Sequence, residues 1–370
     1  MSLEVPFLDY FSEVEDYRIV GMISYPLDEV LFVILVCTIC GFEDFDDMVM
    51  WSEENLDWLR KFLPYLNGIP RPKTLRDILS HLDPNTFQRS FENWSSSMCK
   101  KLGGVVAIDG KTLRGSKENS DGSGSVHLVN AFAYNFGMVI GQEKVNDKSN
   151  EIKAIPSLLS RLCLEGTIVT IDAIATQKDI VREIRSKGAD YLLSLKGNQR
   201  SLHEDVKLFL DDSDMFSMWD EAEQTDAGHG RVEFRHVIVT EDIDWLKERH
   251  TDWKDLRSIA KVESVRYNKK SKIETRDSRY YLSSLPAKAV DMLRYIRAHW
   301  SVENNLHWCL DVTFREDSCR IRKNYSAENM AIIRKSALNL LKRDDAKLSI
   351  KKRRTKALVD PLYRSKLIIC

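Results

Sequence analysis

No stretch of this chain is apolar for long enough to cross a bilayer. The longest such run, Val30 to Phe42 (VLFVILVCTICGF), falls well short of the roughly 20 residues required, and acidic residues flank it on both sides. It predicts a buried helix. The N-terminal MSLEVPFLDYFSEVEDY has no basic segment followed by an apolar one and a small-residue cleavage site, so no secretory signal is expected. A cytoplasmic protein with no membrane partner is the expectation. A disulfide framework is missing too: the seven cysteines are scattered and fit reduced thiols. Cys37 and Cys40 form a CxxC, but inside the apolar run and without a second pair nearby, which fits two small core residues rather than zinc ligands. Gly110-Lys111-Thr112 lacks the preceding glycine-rich loop of a phosphate-binding Walker motif, which excludes that nucleotide site. No internal repeat is visible, and the net charge of -1 gives no global excess of positive charge.

What is present begins with size. A chain of 370 residues, 43% hydrophobic, is ample for a sizeable core and for two or three domains. Charge is unevenly placed: residues 1–66 carry 14 acidic and 3 basic side chains, whereas 342–366 carry 10 basic and 3 acidic, including Lys351, Lys352, Arg353 and Arg354. Such a basic tail either neutralises phosphates or is simply solvated.

The pattern along the chain predicts an α/β protein. Residues 1–100 read as all-α, with helical spacing at Phe45, Met48, Val49 and at Leu56, Leu59, Phe62, Leu63, and a breaker cluster at 67–72. Arg71, Lys73 and Arg76 beside it make this region a candidate for DNA binding, although packing of the helices alone accounts for the pattern more readily. Residues 101–200 read as three strands in a meander (from Val105, Val126 and Met138), then helix, strand (Gly166 to Asp172), helix and strand (Asp190 to Leu195). Residues 201–285 form a mostly β insertion with Lys269, Lys270 and Lys272 at a hairpin tip. Residues 286–345 return to helix, and 346–370 are the basic tail.

Two buried strands end in an acid, VVAID at Asp109 and IVTID at Asp172. A single such residue is an ordinary turn. Two on adjacent central strands bring like charges together, which is costly unless a cation lies between them. Strand ends are where open α/β sheets bind ligands, and Mg²⁺ takes a few carboxylates while leaving positions for phosphate oxygens. Glu303, Asp311, Glu316 and Asp317 compete as the third carboxylate. Glu303 is preferred because on a helix it shares a face with Ile296, His299, Trp300, Leu306, His307 and Leu310. Lys111 and Arg114 (after Asp109), Lys196 and Asn198 (after the fifth strand), His229, Arg231 and Arg235 (in or beside an alternating strand), and Arg297 are candidate DNA contacts, each with a solvated alternative.

The segments NGIPRPKTLRDILSHLDP, VVAIDGKTLRGS, HLVNAFAYNFGMVIGQ, KSNEIKAIPSLLSRL, GTIVTIDAIATQ, DYLLSLKGNQ, GHGRVEFR and RAHWSVENNLHWCLDVTFRED closely resemble the H-repeat-associated, ISAs-type insertion-sequence transposases, from about residue 9 to 345. The resemblance implies an RNase H-like catalytic core of the DDE superfamily, a triad of Asp109, Asp172 and Glu303, two Mg²⁺ ions with Mn²⁺ as a substitute, and double-stranded DNA bound by a homodimer. For Trp300, whose place on the helix equally suits an anchor in the core, it implies stacking on an unpaired base near the cleaved end. One departure stands out: the wider group carries Tyr, Arg and Lys seven and four positions before the glutamate and seven after, where this chain has Ile296, His299 and Leu310. The DNA-hairpin route is therefore not carried over. The rivals are an inactive DNA-binding remnant of a mobile element and a glycosidase with paired carboxylates. The second lacks the signature of an aromatic-lined sugar cleft.

Overall fold

The computed structural model describes residues 6–99, 102–117, 124–145, 151–212, 219–228 and 230–369; His229 lies outside them. The chain opens with helices α1 (Pro6–Phe11), α2 (Leu27–Cys40), α3 (Phe45–Glu54), α4 (Leu56–Leu59), α5 (Pro72–His81) and α6 (Pro84–Met98). Helix α2 is the apolar run foreseen in the sequence, buried over nearly all its length, with both its cysteines free in the core. It stops at Gly41, whose φ of 105° is left-handed and carries no Cβ penalty. Asp44 caps α3 by accepting from the Asp46 amide, and Asp83 caps α6 through the amides of Asn85 and Thr86. Pro72 and Pro84 open α5 and α6 at the position where a missing N–H costs nothing. Among the described residues, no helix is long and apolar enough to cross a membrane.

The core strands are β1 (Gly104–Thr112), β2 (His127–Ala133), β3 (Met138–Val145), β4 (Thr167–Ile171) and β5 (Asp190–Leu195), with helices α7 (Glu151–Arg161) and α8 (Lys178–Ser186) between the later ones. After α9 (Arg200–Leu210) come β6 (Asp220–Gly228), β7 (Arg231–Thr240), α10 (Asp244–Arg249), β8 (Ser258–Asn268) and β9 (Ile273–Ser283). All nine strands form one sheet in the order β3-β2-β1-β4-β5-β9-β8-β7-β6. β1, β2 and β3 pair antiparallel, β1 is parallel to β4, and β4 is parallel to β5. This is the mixed five-stranded arrangement of an RNase H-like core. β9 then pairs antiparallel with β5, so residues 201–285 prolong the same sheet.

Strand alternation decides what each face does. Val106 and Ile108 of β1 join the core under α7 and α8, whereas Val105 and Ala107 face the other way. That second face is covered by α11 (Ala289–Val302), by the wider-wound segments Glu303–His307 and Cys309–Thr313 that continue it, and by α12 (Ser326–Arg343).

Three differences from the sequence expectation have physical causes. β6 (DEAEQTDAG) was not foreseen, because an outer strand exposed along most of its length needs no apolar alternation. β1 runs past Ile108 to Thr112, since β2 goes on pairing with it where β4 has ended. The basic tail is no loose segment: it folds as α13 (Ile350–Val359) and α14 (Pro361–Ile369), burying Arg354, Ala357, Tyr363, Arg364, Leu367 and Ile368. Arg364 stands between the rings of Trp51 and Trp58, 4.7 and 4.2 Å from their centroids. The dense charge hid the apolar positions spaced between it.

Candidate active site

β1 and β4 pair in register up to Ile108 opposite Ile171, so the next residue on each strand, Asp109 and Asp172, comes level at the end of the parallel pair. Alternation sends both side chains, together with Lys111, Thr170, Ser194 and Lys196, to the face covered by α11. Glu303 follows α11 directly, where the helix widens to π winding. Such winding is rare and concentrates at functional positions. Two residues of strand advance about 6.7 Å and four of helix about 6 Å. The steps of β1 and of this helix therefore match: His307 meets Asp109, and Asp311 meets Lys111.

Ligand atoms of Asp109, Glu303 and His307 lie within 4.8 Å of one another. His307 Nδ1 is 3.2 Å from Glu303 Oε2 and 3.7 Å from Asp109 Oδ2, while its Nε2 is buried with no hydrogen-bond partner among the described residues. The Asp109 carboxyl is pushed up to about 7, chiefly by burial and then by the charge of Asp172, with Glu303 and Glu151 adding and the Gly110 amide opposing. Asp172 is raised by burial and by Glu151, against the Ile174 and Ala175 amides and Lys196. An acidic cluster under this strain is chemically suited to a divalent cation, which removes the repulsion among oxygens.

Glu151 was missed in the sequence. It starts α7 and pairs with His127, Oε1 to Nε2 at 2.5 Å, in the space that Gly110 leaves open. A Cβ on Gly110 would stand 2.5 Å from that Oε1. Only the tertiary fold brings it near the two aspartates. His307 did carry a signal, its spacing of four from Glu303.

The structure separates the proposed DNA contacts. Lys111 is 7% exposed and held by Asp311, by Glu316 at 3.8 Å and by Asp317 at 3.7 Å; it is a buried ion-pair partner, unavailable to phosphate. Arg114 is 82% exposed, with Asp317 3.5 Å away. Lys196 is exposed at the end of β5. Asn198 donates to the Ala173 carbonyl at 2.6 Å and so latches the turn after Asp172. Arg231 is exposed, but Arg235 is engaged by Asp226 at 2.8 Å and Glu233 at 2.5 Å. Arg297 lies 3.3 Å from Asp226. Lys351 and Lys352 are exposed; Arg353 and Arg354 are turned inward onto backbone carbonyls.

Trp300 is 50% exposed, with the Arg279 guanidinium 4.3 Å from its ring centroid. Beneath it a cavity of about 70 Å³ is lined by Asp172, Lys196, Tyr281 and His299. His299 shares a 3.0 Å hydrogen bond with Thr170, and burial pushes its pKa down to about 4. This position is therefore neutral.

Two family models match the chain: "DDE_Tnp_1-associated" over residues 8–95 and "Transposase DDE domain" over residues 100–340. The chain belongs to the DDE transposase family. Among its relatives, this DDE transposase-family chain is 38% identical over 363 residues to the "Putative transposase YncI" of Escherichia coli O157:H7, covering 96% of the chain and 92% of the relative. It is 35% identical over 375 residues to the "H repeat-associated putative transposase YhhI" of Escherichia coli K12, covering 98% and 97%. The solved piggyBac transposase synaptic complex with hairpin DNA aligns with it at a TM-score of 0.42 and 11% identity, covering 99% of this chain and 78% of that one.

Proposed function

We propose that this protein cuts DNA at the ends of an insertion sequence and joins the freed 3′ ends to target DNA, with Asp109, Asp172 and Glu303 holding two Mg²⁺ or Mn²⁺ ions. The observation that carries the proposal is the convergence of Asp109, Glu303 and His307 within 4.8 Å, beside Asp172, at the open end of a parallel strand pair. Divalent ions held there would activate the attacking water or 3′ hydroxyl and stabilise the leaving oxygen. The chain's own part is to hold the oxygens in place. Asp109 and Asp172 are fixed by the sheet, while Glu303, more than half exposed, has room to adjust as substrate arrives. Lys196, exposed next to Asp172, faces incoming phosphate, and Arg114, Arg231, Lys351 and Lys352 are further exposed cations for the backbone. The working form is a homodimer on double-stranded DNA in the cytoplasm, associated with the nucleoid when bound.

The test is nicking of a supercoiled plasmid carrying the inverted repeats that flank the gene. Cleavage in Mg²⁺ or Mn²⁺ that stops on chelation is the expected result. A folded chain that never nicks with either ion would refute the proposal, and DNA binding without nicking would identify an inactive remnant.

His307 adds a nitrogen donor, which suits Mn²⁺ better than Mg²⁺. His307→Ala is expected to weaken Mn²⁺ binding, read by calorimetry, more than Mg²⁺ binding. Equal losses for both ions would show that the ring only positions Glu303.

Trp300 is proposed to stack on a base unpaired near the cleaved end. Such stacking is worth about 1 to 3 kcal/mol. Trp300→Ala is expected to fold normally and to cleave intact ends roughly 5- to 160-fold more slowly. An abasic or mismatched position at the end should restore the rate. Loss of stability without rescue would mark the ring as packing.

A further inference from the structure

A second feature lies outside the acidic cluster. Between α5 and residues 315–323 is a cleft of about 610 Å³ lined by Arg76, Arg315, Arg320, Arg322, Lys323 and Ser326. We propose that this cleft grips a backbone phosphate of the duplex flanking the cleaved end. The assignment rests on the transposase reading above and names a contact that the acidic cluster does not supply.

The cations divide into two kinds. Arg322 donates from Nε to the Gly115 carbonyl at 2.8 Å, Lys323 holds Asp77 at 3.2 Å, and Arg76 lies 3.6 Å from Asp46; these pairs build the walls. Arg315 and Arg320 are exposed and have no ion pair among the described residues. Arg315 is held in the left-handed region at φ 48°, a conformation unfavourable for a residue with a Cβ. Two carboxylates also line the wall: Glu43 accepts from Arg354 at 3.0 Å, lies 3.6 Å from Arg334 and feels the charge of Arg315, with its Oε2 making no hydrogen bond among the described residues, and Asp44 caps α3.

The floor of the cleft is the start of α12, an 18-residue helix with no side-chain cap. The Tyr325 and Ser326 amides there already donate to the carbonyls of Ser80 at 3.3 Å and Lys323 at 3.0 Å, so the helix gives the cleft the positive end of its dipole and not free N–H groups. Ser326, fully buried, lines the cleft, and its hydroxyl has no hydrogen-bond partner among the described residues. An unpaired buried hydroxyl and two guanidinium groups without an ion pair among the described residues, at the positive end of a helix dipole, together form an anion site.

The cleft is fixed to the strand that carries Asp109. Residues 316–318 pack on 114–116 so closely that a Cβ on Gly115 would fall 2.1 Å from the Cys319 carbonyl oxygen. Gly115 is six residues beyond Asp109, hence within about 20 Å of it.

The experiment measures affinity for a fluorescent duplex carrying one terminal repeat and its flank, across a salt series, in an Asp109→Asn background without divalent ions. Each lost phosphate contact lowers the slope of log affinity against log salt by about 0.9. Arg320→Ala is expected to lower it by about 0.9, and Arg315→Ala with Arg320→Ala by about 1.8. Ser326→Ala should weaken binding at an unchanged slope. Arg182→Ala with Lys187→Ala, outside the cleft, should change neither. Unchanged slopes in folded Arg320→Ala and double variants would overturn the proposal. So would inorganic phosphate raising the melting temperature through the cleft while DNA slopes stay at the parent value, since the cleft would then serve small anions. Nicking by the unsubstituted protein is scored separately: a chain that never nicks refutes the enzyme, and one that nicks with unaltered slopes refutes only the cleft.

Discussion

Asp109→Asn is expected to abolish metal-dependent nicking, by on the order of 10³-fold or more, the scale on which one member of a cooperating set of active-site groups acts. The amide keeps the shape and the strand but removes the charge that the cations require. A second effect sets it apart from general damage. In the metal-free protein the Asp109 carboxyl is raised to about 7, chiefly by burial and then by Asp172. A carboxyl with a raised folded-state pKa contributes stability that is fully present below its unfolded value near 4 and is lost as pH rises through 7. Metal-free wild type should therefore lose stability between pH 4 and 8, by about 2 to 4 kcal/mol from this group. Asp109→Asn should lack that decline and exceed wild type at pH 8. Saturating Mn²⁺ should reverse the order, since a ligand at 100 times its dissociation constant adds about 2.7 kcal/mol to the form that binds it. Melting temperatures across pH, with chelator and with Mn²⁺, measure all of this. A variant that melts below wild type at pH 8 without metal, or that still nicks at a wild-type rate, would refute the assignment of Asp109.

Arg354→Ala is expected to cost about 3 to 5 kcal/mol, because removing one partner of a buried ion pair strands the other. Arg354 donates to the carbonyl of Thr38 at 2.9 Å and to Glu43 at 3.0 Å, and stacks on Phe314 at 4.2 Å. Against a total stability of about 5 to 15 kcal/mol, the loss is large. The melting temperature should fall by about 4 to 6 °C. Deleting residues 347–370 should leave no cooperative transition, since it also uncovers Trp51, Trp58 and α2. Lys351→Ala and Lys352→Ala, on the exposed side of α13, should stay within about 0.5 kcal/mol of wild type and reduce only the salt dependence of DNA binding. A folded, cooperatively melting deletion protein would show that these helices are dispensable.

How much the sequence disclosed depended on the reach of each interaction. β3 and β5 were legible to the residue because apolar runs between turn signals specify strands locally. Asp109 and Asp172 stood out for the same reason, as acids directly after such runs. Lys111 did not reveal its burial, since the carboxylates that hold it come some 200 positions later. Glu151 gave no local sign, as its approach to the aspartates depends on the sheet. β6 escaped notice because an exposed outer strand owes its place to its neighbour's backbone. The last two helices were misjudged because net charge was weighed above spacing.

The chain closes its first helices with its last ones, which bears on its synthesis. Thr38 waits for Arg354, 316 residues later, and at about 5 to 20 residues per second that is roughly 15 to 60 s on the ribosome. Throughout that interval α2 has been made but lacks the helices that cover it. The nascent protein is thus a natural client for chaperones that shield apolar surface. A chain that stops short of Arg354 is expected to leave α2 uncovered.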